Sequence, residues 1–185
     1  MINCRICNKP VQKLLDLGPL PVCHRFVKSP DEKEVKHDFI LGSCRSCGLV
    51  QLIDPFPQDY LKPVYDWITY REPEAHLDKL TGLLSRLLPD KGIKICGVSF
   101  KDDSTLDRLN RLGFHNTIRL DIIKDLGGDI PWGGVETVQK LLTSGQAKKI
   151  CKLHGKFDLI IARHIFEHVY NVPEFIKGIK KDLLS

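Results

Sequence analysis

The sequence predicts an α/β protein in which a small cysteine-rich module precedes a domain built around a parallel sheet. Two observations predict this organisation. Four of the seven cysteines stand in two close pairs within the first 47 residues. From residue 93 onward, short apolar runs alternate with amphipathic stretches, which is typical of strands and helices that alternate around a parallel sheet. We therefore expect domains over residues 1–56 and 91–185, joined by a helical linker or lid over residues 57–90.

The cysteine pairs are Cys4-Arg-Ile-Cys7 and Cys44-Arg-Ser-Cys47. Two cysteines separated by two residues can both reach a tetrahedral Zn²⁺ from one tight turn, with Zn–S bonds of about 2.3 Å. The 36 residues between the pairs do not exclude a shared site, because the entropy of closing a loop grows only with the logarithm of its length. We therefore expect a structural zinc site with Cys4, Cys7, Cys44 and Cys47 as its ligands.

A disulfide framework is the alternative for these cysteines. Seven is an odd number, no secretory signal pattern precedes Cys4, and Cys23, Cys96 and Cys151 follow no pairing pattern. These features favour reduced thiols and a cytoplasmic protein. His24, which follows Cys23, is a conceivable substitute ligand, although an ordinary surface or packing role suits a lone loop histidine as well.

Composition excludes two classes of partner. The chain has 185 residues and a formal net charge of +5, with its lysines and arginines scattered along the sequence. A nucleic-acid-binding protein is expected to gather such charges into a patch or stripe. No apolar run approaches the roughly 20 residues of a membrane span. We expect neither a nucleic acid nor a membrane as a partner, and the sequence predicts no particular oligomeric state.

The N-terminal elements are expected to be short. Residues 1–54 suggest strands and turns, and prolines at 18–21 and 54–57 disfavour helix on either side. Leucines recur at helical spacing over residues 74–88, and Pro89 ends that pattern.

The elements expected after residue 93 alternate in type. In chain order they are strand 93–100, helix 104–112 ended by Gly113, strand 117–122, helix 135–153, strand 157–162 and helix 175–184. Ligands of parallel α/β sheets bind beyond the carboxyl ends of the strands. We therefore expect functional residues near 99–104, at 121 and over 163–168.

Two of these positions indicate a nucleotide or a similar cofactor. Residues 98–105 are expected to form the end of a strand followed directly by a turn and a helix, and Asp121 is expected near the end of the next strand. An acidic residue at that place can accept hydrogen bonds from ribose hydroxyls. The same residue can instead be only a cap or a turn former.

Five segments together point to a known family. They are CRICNKP, LLDLGPLPVCHRFV, LGSCRSCGLVQL, YDWITYREPEAHLDKL and FDLIIARHIFEHVYNVPEFI. In this order and spacing they resemble the sugar C-methyltransferases, enzymes that use S-adenosylmethionine to modify nucleotide-linked deoxyketosugars. The resemblance implies an N-terminal zinc domain, a Rossmann-like class I methyltransferase domain and a C-terminal domain that helps to hold the nucleotide sugar.

The resemblance also implies catalytic residues. Methylation of carbon requires a base that removes a proton next to the sugar ketone and a group that stabilises the enolate. By this resemblance His168 is the base candidate, with His164 and Glu167 on the same segment, and Tyr70 contributes a phenol. A packed or capping histidine and a tyrosine in a pocket wall remain alternatives.

The resemblance assigns cofactor binding to Gly97, Ser99, Asp102 and Asp121. The cofactor loop departs from the family pattern, because Asp103 stands where a second glycine is expected and Lys101 brings positive charge towards a sulfonium cofactor. The sequence also supplies fewer strands than a full class I methyltransferase sheet, and only the first half of that domain. We therefore expect a fragment of such an enzyme, or a remnant with another role.

Two other functions stay open. One is a non-catalytic zinc-knuckle scaffold with a degenerate methyltransferase fold, which binds a partner or a sugar nucleotide. The other is a metallopeptidase, because His164-Ile-Phe-Glu167-His168 fits the H-x-x-E-H pattern. That pattern requires two histidines on one face of a helix, with the glutamate as base, and a third ligand downstream.

Overall fold

The computed structural model describes residues 2–22, 25–62, 73–88 and 90–185. The chain divides into two compact units. The first unit contains the described residues up to 62 together with residues 171–173, and the second contains residues 73–88, 90–170 and 174–185. The expected linker over 57–90 falls partly outside the described residues, so the bounds of the three expected domains stay predictions.

The first unit is built on an antiparallel sheet. Its strands are β1 (Gln12–Pro21), β2 (Lys36–Ser43) and β3 (Val50–Leu52), in the order β1-β2-β3. Pro19 and Pro21 lie on the edge strand β1, where a missing N–H costs little because one side of the strand has no ladder partner. A 3₁₀ turn, Gln58–Leu61, follows the sheet. The turn between β2 and β3 therefore carries the second cysteine pair.

The rest of the chain alternates helices and strands, which confirms the predicted α/β class. The elements are α1 (His76–Leu87), β4 (Ile95–Gly97), α2 (Asp103–Arg111), β5 (Thr117–Arg119), α3 (Val135–Leu141), α4 (Ser144–His154), β6 (Leu159–Ile161) and α5 (Val172–Lys177). A π-helical segment, Gly178–Leu183, continues from α5. Every helix in the described ranges is too short or too polar to cross a bilayer.

Strands β4, β5 and β6 form a parallel sheet in the order β5-β4-β6. The chain passes from β4 to β5 on one side, and β6 lies on the other side of β4. Strand order therefore reverses at β4, and a crevice at such a reversal is where open α/β sheets bind ligands. Gly97, Arg119 and Ile161 are the last residues of the three strands and mark that edge.

A buried apolar cluster lies where α2 packs on this sheet. Its members are Ile95, Leu106, Leu109, Phe114 and Ile161, with Leu84, Leu88, Ile93 and Leu159 packed against them. Each fully buried side chain of this size contributes about 1.5–3 kcal/mol. This cluster fixes α2, and therefore the loop that precedes it, against the carboxyl end of β4.

Several element bounds differ from those predicted. The single helix expected over 135–153 is two helices, because Thr143 is extended (φ −86°, ψ 165°) and its side chain caps α4 by accepting a bond from the Gln146 N–H. The three strands are shorter than predicted. The last helix begins at Val172 and ends in the π-helical segment.

Candidate metal centre and cofactor crevice

The two cysteine pairs lie on turns with the same backbone hydrogen bond. The Asn8 N–H donates to the Cys4 carbonyl over 2.9 Å, and the Gly48 N–H donates to the Cys44 carbonyl over 2.8 Å. Both donors have left-handed backbones, with φ of 58° at Asn8 and 78° at Gly48. Glycine and asparagine adopt this conformation more readily than other residues. The sequence therefore forms two matching metal-binding knuckles.

The four sulfurs converge across these knuckles. Cys4 Sγ lies 3.5 Å from Cys47 Sγ, Cys7 Sγ lies 3.4 Å from Cys44 Sγ, and all four lie within 4.8 Å of one another. Sulfurs at the corners of a regular tetrahedron around zinc are about 3.8 Å apart, given Zn–S bonds of about 2.3 Å. A disulfide would need about 2.05 Å, and all four cysteines are free thiols. They are therefore positioned to bind a metal ion, consistent with structural zinc.

Backbone N–H groups favour the thiolate form of the first cysteine in each pair. The Ile6 N–H points at Cys4 Sγ over 3.5 Å. The Cys7 N–H is the main group that lowers the pKa of Cys4, to about 6. The Cys47 N–H is the main group that lowers the pKa of Cys44. Because the thiolate is the form that ligates a metal, these bonds assist metal binding.

The metal centre lies at the surface of the first unit. Cys4 and Cys44 are buried, Cys7 is half-buried and Cys47 is exposed. With four thiolates the coordination shell is closed, so the chemistry of this donor set is structural. Cys23 and His24 lie outside the described residues.

A second site lies at the carboxyl end of β4 and centres on Asp102, which is fully buried. Its Oδ2 accepts bonds from the N–H groups of Val98 (2.8 Å) and Ser99 (2.9 Å), and its Oδ1 accepts one from the Arg163 N–H (2.8 Å). Burial raises the pKa of Asp102, and the three bonds oppose that shift. Asp102 therefore ties the loop after β4 to Arg163, the second residue after β6, and its cofactor role stays a prediction.

Gly97 and Ser99 shape the same loop. A Cβ on Gly97 would lie 2.9 Å from Leu106 Cδ1 and 3.0 Å from Asp102 Cβ. The absence of a side chain thus lets α2 approach the end of β4, a role that glycine has in dinucleotide-binding loops. Ser99 caps the turn Phe100–Asp102, and its hydroxyl accepts a bond from the Lys101 N–H over 3.3 Å.

Asp121 stands just beyond the carboxyl end of β5. Its Oδ1 accepts bonds from the N–H groups of Ile123 (2.9 Å) and Lys124 (2.8 Å). The bond from Lys124 is the main cause that lowers the pKa of Asp121, so the exposed carboxylate is ionised at neutral pH. The turn-forming role is thus present, and a ribose-binding role stays a prediction.

Arg163 falls in the range 163–168 that was expected to hold functional residues, but its contacts were not predicted, and its side chain is only 13% exposed. Its Nη1 donates to the Lys101 carbonyl (2.6 Å), to Ser104 Oγ (3.1 Å) and to Glu74 Oε1 (3.1 Å). The hydrogen bond with Ser104 and the charge of Arg163 hold the pKa of Glu74 below its ordinary range. Arg108 Nη1 also lies 3.7 Å from Glu74 Oε2. No local pattern could have revealed a pair separated by 89 positions.

The predicted catalytic residues His164, Glu167 and His168 lie on one short segment after β6. His164 Nδ1 is 3.6 Å from Glu167 Oε1, and both side chains are exposed. His168 Nδ1 is 3.9 Å from Glu136 Oε1, and its side chain is 36% exposed. Tyr70 lies outside the described residues, so the catalytic assignments stay predictions.

This segment does not form the helix that the metallopeptidase pattern needs. His164 has a φ of 53°, and only the 3₁₀ turn Phe166–His168 follows it. Within the described ranges, the four cysteines are the one group of three or more potential ligands close enough to share a metal. A peptidase centre at His164 and His168 therefore has no structural support.

The N-terminal module matches a known family. Residues 4–61 match the family model Methyltransf_13, described as "Putative zinc binding domain". No curated protein matches the sequence. The matched residues contain both knuckles and the sheet that joins them. The N-terminal module is therefore a zinc-binding module of a kind associated with methyltransferases.

Proposed function

We propose that this chain is part of an S-adenosylmethionine-dependent C-methyltransferase that acts on a nucleotide-linked deoxyketosugar. One observation carries the proposal. A methyltransferase-associated zinc module shares its chain with a parallel sheet whose strand order reverses at β4. The residues predicted to bind the cofactor cluster at the carboxyl ends of β4 and β5, where sheets of this kind hold nucleotides.

Gly97, Ser99 and Asp121 would hold the cofactor. Asp121 is exposed and ionised at the carboxyl end of β5, as an acceptor for ribose hydroxyls must be. Asp102 would act indirectly, because it fixes the N–H groups of Val98 and Ser99. The bound cofactor would supply an electrophilic methyl group on a sulfonium centre.

His168 would act as the base. A neutral imidazole can accept a proton from the carbon next to a sugar ketone at a pH near 7. Glu136, whose Oε1 lies 3.9 Å from Nδ1 of His168, would stabilise the imidazolium that results. His164 and Glu167 lie close enough to interact with each other and would help to orient the segment. Tyr70 would stabilise the enolate.

Calorimetric titration of the zinc-loaded chain with S-adenosylmethionine tests the cofactor assignment. We expect binding heat and a rise in the melting temperature. Asp121→Ala should weaken binding about tenfold, which corresponds to about 1.4 kcal/mol, because it removes the ribose acceptor. Asp107→Ala is the matched control, since Asp107 is exposed on α2 and has no assigned contact with the cofactor. It should bind like the parent chain.

A partial reaction tests the substrate assignment. The base should exchange the hydrogen next to the ketone of a nucleotide-linked deoxyketosugar for solvent deuterium, and His168→Ala should abolish that exchange. Absence of both binding heat and thermal shift in a folded, zinc-loaded chain would contradict the enzyme proposal and favour the scaffold. Cofactor binding without exchange would contradict the sugar substrate alone.

A further inference from the structure

Gln51 is a polar residue that is buried in the first unit. It is the central residue of β3 and is only 8% exposed. Its Oε1 accepts a bond from the Arg5 N–H over 2.9 Å, and its Nε2 donates to the Asn3 carbonyl over 3.3 Å. Both bonds cross from β3 to the first knuckle. The side-chain amide is therefore satisfied by the backbone beside one metal ligand.

The two bonded groups flank Cys4 on either side. The Asn3 carbonyl belongs to the peptide unit that enters Cys4, and the Arg5 N–H belongs to the peptide unit that leaves it. Because each peptide unit is planar, φ and ψ of Cys4 are the soft rotations between these two units. One side-chain amide thus restrains both φ and ψ of Cys4. These two angles set the position of the Cys4 sulfur relative to the metal site.

The two knuckles share one backbone bond to their first cysteine. The Cys4 N–H donates to the Lys9 carbonyl over 2.8 Å, and the Cys44 N–H donates to the Leu49 carbonyl over 2.9 Å. At the first knuckle the side chain of Gln51 adds two bonds to this shared one, to the Asn3 carbonyl and to the Arg5 N–H.

We propose that Gln51 is a positioning residue of the zinc centre, which holds Cys4 in the geometry that the metal requires. An amide suits the place because it offers one acceptor and one donor at the same time. Partners of this kind, which orient a ligand without touching the metal, alter metal affinity when they are mutated. The inference goes beyond the proposed function and does not depend on it.

Zinc release to a chromogenic chelator tests the proposal on the folded chain. Gln51→Met keeps the length of the side chain and removes both bonds, so zinc should dissociate about 10–100-fold faster, the usual cost of losing such a partner. Gln51→Glu keeps an acceptor for the Arg5 N–H and loses the donor to Asn3, so its rate should be intermediate. Gln12→Met changes an exposed glutamine of β1 in the same unit and should release zinc at the parent rate.

The absorption spectrum of the Co²⁺-substituted chain separates positioning from general stability. A displaced Cys4 sulfur should shift the d–d bands of Gln51→Met, whereas a purely structural role would lower the melting temperature and leave the bands of the folded state in place. Parent release rates and parent bands in folded Gln51→Met would overturn the proposal. If Gln51→Met does not fold, Gln51→Glu decides in the same way.

Discussion

Glu74 and Arg163 illustrate how single residues far apart in sequence join separate elements of the second unit. Arg163 reaches from the end of β6 to the turn before α2 and to Glu74 ahead of α1. Its guanidinium is largely removed from solvent and donates to three neutral acceptors besides the carboxylate: the Lys101 carbonyl and the hydroxyls of Ser104 and Thr105. Hydrogen bonds to charged groups contribute about 1.5–3 kcal/mol each where solvent is excluded. This ion pair therefore holds the segment after β6 to the turn before α2 and to the residues ahead of α1.

The substitution Glu74→Gln removes the negative charge of this ion pair and should change how the free energy of unfolding depends on pH. The folded state holds the pKa of Glu74 below its ordinary range, through Ser104 and Arg163. A lowered carboxylate pKa adds stability that is present above the ordinary pKa of about 4.3 and is lost as the pH falls through the folded pKa. We expect the parent chain to exceed Glu74→Gln in unfolding free energy by about 1–3 kcal/mol at pH 7. That difference should shrink below about pH 4.5.

Urea unfolding at a series of pH values measures this difference. Asp107→Asn is the control, since it removes an exposed carboxylate from α2 in the same unit. Its effect on the free energy of unfolding should stay small at every pH in the series. A difference between the parent chain and Glu74→Gln that stays constant from pH 7 to pH 3 would contradict the assigned pKa shift.

At the scale of elements, the periodicity of the hydrophobic residues predicted the type and order of the strands and helices well, and predicted their ends poorly. The alternation of types after residue 93 depends on burial, which periodicity reports directly. Where a strand stops depends on a specific bond, such as those that Asp102 makes to Val98 and Ser99, and the sequence does not display that bond. A predicted helix is divided at Thr143 for the same reason, because the sequence does not display the bond from the Gln146 N–H to the Thr143 hydroxyl.

The features of the candidate sites also fall into two groups, those that the sequence predicts and those that it does not. The four cysteines of the metal site could be predicted because each pair is local and metal-binding knuckles require that spacing. Gln51 was not readable, because a glutamine in a short strand gives no sign of which backbone groups it meets. The bond between Arg163 and Glu74 was not predictable for the same reason, since the two residues are distant in sequence. Sites built from residues close in sequence can thus be predicted from the sequence. Hydrogen bonds between distant segments can be identified only once the structure is known.

Gly97→Ala tests how closely α2 packs on β4. The added methyl would lie 3.0 Å from Asp102 Cβ, which cannot move freely because its carboxylate holds three backbone N–H groups. Overpacking of this kind costs about 1–3 kcal/mol. We expect a loss of unfolding free energy in that range, measured by urea denaturation.

Gly82→Ala is the matched control for this substitution. Gly82 lies within α1, and a Cβ there meets no atom within 4 Å. Alanine should therefore stabilise the helix by up to about 1 kcal/mol, because glycine is the poorer helix former. Equal effects at both positions would contradict the packing argument.

At the scale of the whole molecule, the two units differ in what stabilises them. Among the described residues, the buried hydrophobic positions of the first unit are Cys4, Val22 and Cys44. Leucines of β1 stay exposed, such as Leu14 at 61% and Leu17 at 53%. The second unit has the apolar cluster on α2 and β4 instead. We therefore expect the first unit to depend for its stability on a metal ion bound by the four cysteines.

Removal of zinc should unfold the first unit and spare the second. Structural zinc contributes about 10–16 kcal/mol in zinc-finger peptides, as much as the whole stability of a typical domain, about 5–15 kcal/mol. With a strong chelator we expect rapid hydrogen exchange in β1, β2 and β3, measured by mass spectrometry. The ellipticity at 222 nm should largely persist, because the described α-helices all begin after residue 62.

Two cysteine variants make this prediction specific. Cys44→Ser removes a buried ligand and should reproduce the effect of the chelator in the presence of zinc. Cys151→Ser changes a half-buried thiol of α4 outside the cluster and should leave exchange in the first unit unchanged. Loss of the helical signal together with protection in β1–β3 would show that the two units unfold as one. Unchanged protection after zinc removal would show that the metal is not the core of the first unit.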